Sequence, residues 1–379
     1  MEAVKNITDL RYFIDRGEII DPEYDYKVSW HQDIKQNEWT SLPTFMFSST
    51  NCRVNSLPLL ITEQNHLITE HVWPLIHKYK NKPEKVHTVF TEWQDAMSVS
   101  IPEISEQFNE NGKYVWLPID EYSAENPWHI WIDVVSKIRL IEKYFPNFLI
   151  EHFVFVLANP SSYFDKIAKV FFPKIRYLTM PKNTTWKFKH LIVPSMSNHK
   201  DGIITPRLPE WIQRLANRSV RKVSIPNKKI IVTRQSGNRS ITNQEQLILA
   251  LKGWETVSLE SMDIKQQVEC FSNASHILSP HGAGLINLLW CQPKTKVIEI
   301  QHRAFLEKKV YPILSHHLRL DHEVFVAETE KVEGPKPKNK KMKDILYKSK
   351  FREDLKSKFN YQNEMMVPKL QKIVLNMGI

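Results

Sequence analysis

From Lys228 onward, short apolar runs alternate with stretches whose apolar residues recur every three or four positions. The runs "KIIVTR", "ETVSL", "HILS" and "KVIEI" predict strands, because they are short, apolar and bounded by polar or turn residues. Between them, "TNQEQLILALKG" predicts a helix capped by Thr242 or Asn243 and stopped by Gly253, and "DIKQQVECFSNA" one that begins near Asp263. A further helix opens at "SPHGAGLINLLW". Apolar strands separated by single helices predict a parallel, doubly wound sheet with right-handed crossovers. The first half is less regular but holds comparable pieces. There, "VHTVF", "KYVWLPI", "HFVFVLA" and "IRYLTM" predict strands, and "PWHIWIDVVSKIRLIEKYF" predicts a long helix with Pro127 in its first turn. Trp131, Val134, Val135, Ile138 and Ile141 form its apolar stripe.

Length then divides the chain. At 379 residues it exceeds what one core usually serves, and 42% hydrophobic with 25% charged residues supplies two α/β cores. The polar, proline-bearing stretch "SNHKDGIITPRLPEW" places the boundary near residue 200, giving domains at 1–200 and 201–335. Residues 336–379 read as a Lys-rich linker and a terminal amphipathic helix.

The net charge of +10 changes the picture less than its size suggests. Residues 331–379 hold 13 Lys plus Arg against 5 Asp plus Glu, which leaves about +2 for the rest. The basic run "GPKPKNKKMKD" fits a solvated linker, or peripheral contact with an anionic membrane; with no aromatic interleaved, nucleic acid is not an expected partner. The N-terminal segment breaks each apolar run with a charge and offers no signal-peptide core. "FLIEHFVFVLA" is about half of a membrane span and carries Glu151 and His152. The three cysteines form no CxxC pair, so neither a disulfide framework nor a zinc knuckle is indicated, and a cytoplasmic or otherwise reducing compartment fits.

Two of the nine glycines, Gly282 and Gly284, sit directly after His281 at a helix start. Such a turn aims backbone N–H groups and the positive end of a helix at an anion, provided no side chain blocks the approach. A tight strand-to-helix turn with no ligand is the alternative. The stretch is not a dinucleotide fingerprint, because Asn287 stands where GxGxxG needs glycine, and it is not a P-loop, because no Lys-Ser/Thr follows. "HGAG" also looks like a hydrolase oxyanion segment, yet no two glycines are four apart, as a nucleophile elbow requires.

Arg234 and Arg239, in "VTRQSGNR", follow the first strand of the same half, at the sheet edge that also holds His281. Two guanidiniums there would fork onto phosphate oxygens, or they are ordinary loop arginines. His129 and Asp133 lie four apart on one helix face, either as a base with its orienting partner or as an exposed pair. His316, His317 and His322 have mixed spacing and no evident carboxylate partner, which favours surface histidines over a metal site.

"SPHGAGLINLLWCQPKTKVIEI", "TRQSGNRSITNQEQLILAL" and "NPWHIWIDVVSKIRL" together resemble glycosyltransferase family 61. The second stretch keeps the family's R-x4-R-x-I-x-N-x-E spacing through Arg234, Arg239, Ile241, Asn243 and Glu245. The resemblance implies a GT-B architecture, with two Rossmann-like domains facing a cleft and a C-terminal helix returning to the first. Acceptor binding would fall to 1–200 and nucleotide-sugar binding to 201–335. It implies an inverting transfer from a UDP-sugar, such as UDP-xylose or UDP-GlcNAc, to a hydroxyl of a glycan or glycoprotein. A nucleotide-sugar or carbohydrate binding protein without turnover is the rival. Carried over by position, Arg234, Arg239, Ser279, His281, Gly282, Ala283, Gly284, Leu285 and Asn287 would meet the donor. Glu299 would accept from its ribose or serve as a buried structural carboxylate. Asp133 or His129 would be the base. No DxD motif is present, so no metal is expected. Ile286 departs from the family's usual Thr, and the expected absence of a membrane anchor departs from its eukaryotic members.

Overall fold

A computed structural model describes residues 44–63, 104–109, 114–145, 149–195, 204–219, 225–234, 241–302 and 309–329, apart from single positions at 45, 57, 122, 206 and 242. It also describes short strands at 3–4, 27–28, 39–40, 67–68 and 374–375. The chain is α/β and divides into two compact units, Met1–Ser219 and Val220–Ile379.

The first unit is built on a mixed sheet. Its regular part is parallel: β2 (Tyr114–Leu117), β3 (Val154–Leu157) and β4 (Arg176–Thr179) lie side by side in that order. Against β2 the sheet continues through an antiparallel pair, β1 (Met46–Asn55) and β5 (Thr185–Pro194). That pair alternates buried and open positions as a half-covered ribbon does, and its apolar residues Phe47, Val54, Trp186, Phe188 and Leu191 join Trp116 and Val156 in one core. The sequence pattern gave no warning of it. The strand expected at "VHTVF" lies outside the described residues.

The crossover from β2 to β3 is α1, which runs on as an α-helical turn (Pro127–His129), a π-helical stretch (Ile130–Val135) and an α-helix (Ser136–Tyr144). Asn126 caps it, its side-chain oxygen accepting from Trp128 N at 3.0 Å, and Pro127 follows where its missing N–H costs nothing. The expected stripe is buried throughout. After α2 (Ser162–Phe171) crosses from β3 to β4, the helix α3 (Arg207–Ser219) completes the unit. Trp211 on α3 donates to Glu142 at 2.8 Å and stacks on Phe172. These contacts carry the boundary past α3, so it falls after Ser219 rather than near residue 200.

The second unit is the doubly wound sheet the pattern predicts. Its strands are β6 (Lys228–Thr233), β7 (Glu255–Ser258), β8 (Ala274–Pro280), β9 (Lys296–His302), β10 (Asp321–Thr329) and β11 (Val374–Leu375). They are all parallel, in the order β7-β6-β8-β9-β10-β11. Helices α4 (Gln244–Ala250) and α5 (Ile264–Ser272) appear as expected, the latter with a complete capping box between Asp263 and Gln266. Gly253 stops the α4 turn at φ +82, a conformation that glycine adopts without strain. A further helix, α6 (Val310–His317), precedes β10. Residues 336–373 lie outside the described residues, and so does most of the expected terminal helix. Val374–Leu375 instead extend the second sheet as β11.

Candidate functional site

Strand order locates the site. The chain winds outward in opposite directions from β6 and β8, so the gap beyond their carboxyl ends is a topological switch point, where open parallel sheets bind ligands. Arg234 is the residue after β6, and His281 the residue after β8. Register pairs Ile231 with Leu278, and carrying it forward sets Arg234 beside His281.

The glycine turn meets that arginine directly. A Cβ added to Gly282 would lie 2.0 Å from Arg234 Nη2 and 2.9 Å from its Cζ, so the guanidinium rests against the bare Cα. Gly284 has a different reason: its Cβ would come within 2.7 Å of Leu259 Cδ1. One glycine admits a cation and the other admits a packed leucine. The helix they open, Ala283–Trp290, is a 3-10 helix. Ala283 and Gly284 are its first residues, and their N–H groups have no acceptor within the helix.

Ser279, Leu285, Asn287 and Glu299, expected among the donor contacts, are all buried. Ser279 Oγ donates to the Pro280 carbonyl at 3.1 Å. The Asn287 amide donates to Gly284 O at 3.0 Å and accepts from Trp290 Nε1 at 2.9 Å, which braces the 3-10 helix from within. Of the two readings of Glu299, the geometry favours the structural carboxylate: it is wholly buried, with one oxygen on His281 Nδ1 and the other 3.0 Å from His322 Nε2. Burial alone would push its carboxyl up, but the hydrogen bonds from the two histidines outweigh this and hold it below the usual carboxylate range. Gln301 Nε2 lies 3.4 Å from the same Glu299 oxygen and 3.1 Å from His281 Nδ1. The Tyr311 ring meets the His281 ring edge-on at 5.4 Å.

His322 corrects the sequence reading. Its side chain is 6% exposed and does have a carboxylate partner. That partner, Glu299, sits on the neighbouring strand, where the register sets Val297 opposite His322 and makes Glu299 its diagonal neighbour. Sequence spacing carries no trace of this, since a parallel pairing joins positions separated by a whole crossover. Arg239 lies outside the described residues.

In the first unit the helix pair is formed as its spacing predicts. His129 Nδ1 lies 2.6 Å from Asp133 Oδ2, with the histidine side chain 35% exposed and the aspartate 14%. The pair sits at the entry to the π-helical stretch, where the ordinary hydrogen-bond ladder is interrupted and a carbonyl needs another donor. The Lys137 ammonium donates to the Asp133 carbonyl, and this lysine is among the most deeply buried side chains in the unit. Sequence reading passed over Lys137, though it continues the four-residue step of His129 and Asp133. No cluster of metal-ligating side chains occurs among the described residues, and no described helix is long and apolar enough to cross a membrane.

Residues 127–298 match the family model Glycosyltransferase 61. The resemblance read from the sequence is thereby borne out. The match begins at the first residue of α1 and ends within β9, so the His129–Asp133 pair, Arg234 and the glycine turn all lie inside the glycosyltransferase 61 segment. The chain is also similar to protein O-linked-mannose beta-1,4-N-acetylglucosaminyltransferase 2 of dog and of human, at 26% and 25% identity. Each alignment covers 49% of this chain and 37% of the relative, so the chain spans little more than a third of the proteins it matches.

Proposed function

We propose that the chain is an inverting glycosyltransferase that moves a sugar from a UDP-linked donor to a hydroxyl of a glycan or glycoprotein. The observation that carries this reading is the Arg234 guanidinium seated on Gly282 at the switch point, beside the leading amides of the 3-10 helix. A departing diphosphate needs its growing charge met by fixed donors, and an arginine fork with backbone N–H groups supplies them without a metal. Ser279 and Asn287 brace the turn through their hydrogen bonds to Pro280 O and Gly284 O, and Leu285 is buried beside them in sequence. Arg239 would add a second guanidinium from the same loop.

The donor belongs to the second unit and the acceptor to the first, as in a GT-B enzyme. The acceptor oxygen attacks the anomeric carbon as the bond to the diphosphate breaks, and UDP leaves with the bonding electrons. The hydroxyl proton passes to His129, which Asp133 holds by Nδ1 so that Nε2 is the accepting nitrogen. The family match over 127–298 supports transfer chemistry, and the relatives, named as N-acetylglucosaminyltransferases, support a sugar as the group moved.

Calorimetry with UDP tests the donor site. The wild type is expected to bind with chelator present, and Arg234→Ala to lose at least about tenfold in affinity, as removal of a charge-assisted hydrogen-bond pair does. No binding by the wild type, or an unaltered Arg234→Ala, defeats the proposal. A separate measurement addresses the base: His129→Ala and Asp133→Asn are expected to lose about a hundredfold or more in turnover with unchanged UDP affinity. Full activity in both removes that role.

A further inference from the structure

Behind the glycine turn runs a chain of buried polar groups that donor contact does not explain. It goes from His281 to Glu299, from Glu299 to His322, and from His322 Nδ1 to Ser315 Oγ on α6 at 2.7 Å. Two imidazoles share one buried carboxylate. A buried carboxylate needs donors on both oxygens, so the question is which imidazole nitrogens carry the protons.

Hydrogen-bond accounting decides. Ser315 is wholly buried, and among the described residues His322 Nδ1 is the partner its hydroxyl has. Were Nδ1 protonated, the hydroxyl would accept, and its own proton would lie in the interior without an acceptor, an arrangement that folded proteins avoid. The hydroxyl therefore donates and Nδ1 accepts. His322 is then a neutral imidazole whose proton is on Nε2, donated to Glu299. The other oxygen of Glu299 faces His281 Nδ1, which donates to it. Arg234, which packs on Gly282, Tyr311 from α6 and Gln301 on β9 are among the groups around His281.

We propose that Ser315 and His322 are positioning residues that lock Glu299 onto His281 Nδ1 and so fix the His281 imidazole at the glycine turn, ready for a nucleoside diphosphate. This rests on the donor reading above for the identity of the anion. The lock itself is a property of the ligand-free protein.

The test uses the full chain labelled with ¹⁵N-histidine, with signals assigned from His281→Gln and His322→Gln. His322 is expected to show a protonated Nε2 with an accepting Nδ1, and His281 to carry a proton on Nδ1. A doubly protonated or Nδ1-protonated His322, or a His281 with no proton on Nδ1, overturns the proposal. UDP affinity gives the second readout. His322→Leu is expected to bind UDP at least about tenfold more weakly, whereas His322→Gln stays within about threefold of wild type, because its carboxamide can donate to Glu299 and accept from Ser315. Equal affinity in His322→Leu and wild type overturns the role, and so does a His322→Gln as weak as His322→Leu. If His322→Leu does not fold, the spectra and the His322→Gln comparison decide. If the wild type does not bind UDP, the donor reading fails while the nitrogen spectra still judge the lock.

Discussion

Gly282→Ala is expected to weaken UDP binding by at least about tenfold while the second unit stays folded. The new Cβ would fall 2.0 Å from Arg234 Nη2, too close for any arrangement that leaves the guanidinium in place. What it meets is the far end of a long, flexible side chain, so Arg234 swings aside, and because Gly282 sits at φ +157 the new side chain also strains the backbone of the turn. The donors aimed at the diphosphate are then lost together with their fixed geometry. Gly284→Ala is the control, because its Cβ would press Leu259 Cδ1 at 2.7 Å, a packing contact distant in kind from the charge. That variant is expected to melt earlier by an amount typical of overpacking, about 1–3 kcal/mol. Calorimetry and thermal melts on the two proteins separate the effects. A Gly282→Ala protein that binds UDP like wild type would mean that the guanidinium seat has no part in donor binding.

The largest loss of stability is expected from Glu299→Ala. It removes the acceptor shared by His281 and His322 and leaves both imidazoles without the group they were folded around. Breaking a buried charged pair by deleting one partner costs about 3–5 kcal/mol, a large fraction of the stability of a small domain. Glu299→Gln keeps the volume and tests the charge. The carboxyl is held below its usual range because the two histidine hydrogen bonds outweigh its burial. A depressed folded-state value means that the contribution is fully present above the unfolded value of 4.5 and is lost as pH falls through the folded one. Thermal melts across acid pH are therefore expected to fall more steeply for wild type than for Glu299→Gln. Parallel curves, or a Glu299→Ala protein as stable as wild type, would show that the carboxylate carries no such load.

The elements of the second unit were legible because each is written locally. Apolar runs at β6, β8 and β9, the Asp263–Gln266 box and Gly253 all act within a few residues of themselves. The same holds for His129 and Asp133, whose four-residue step is a helix property and whose 2.6 Å contact follows from it. Arg234 and the glycine turn could be assigned to one sheet edge from parallel topology alone. Their direct contact could not, because it depends on the register between β6 and β8 and on the rotamer of a long side chain.

What the chain alone determined, then, was the α/β class of both units, the parallel winding of the second, and the segment that resembles a glycosyltransferase family. The tertiary structure decided which polar residues meet. It showed that Gly284 leaves room for Leu259, that Glu299 is the buried anion behind His281, and that His322, expected as a surface histidine, is that anion's second partner. It also supplied the antiparallel pair Met46–Asn55 and Thr185–Pro194, which no local pattern announced. The physical reason is common to these cases. Periodicity reports which face of an element is buried, whereas a partner across a sheet is fixed by register and burial, which exist only once distant stretches of chain have met.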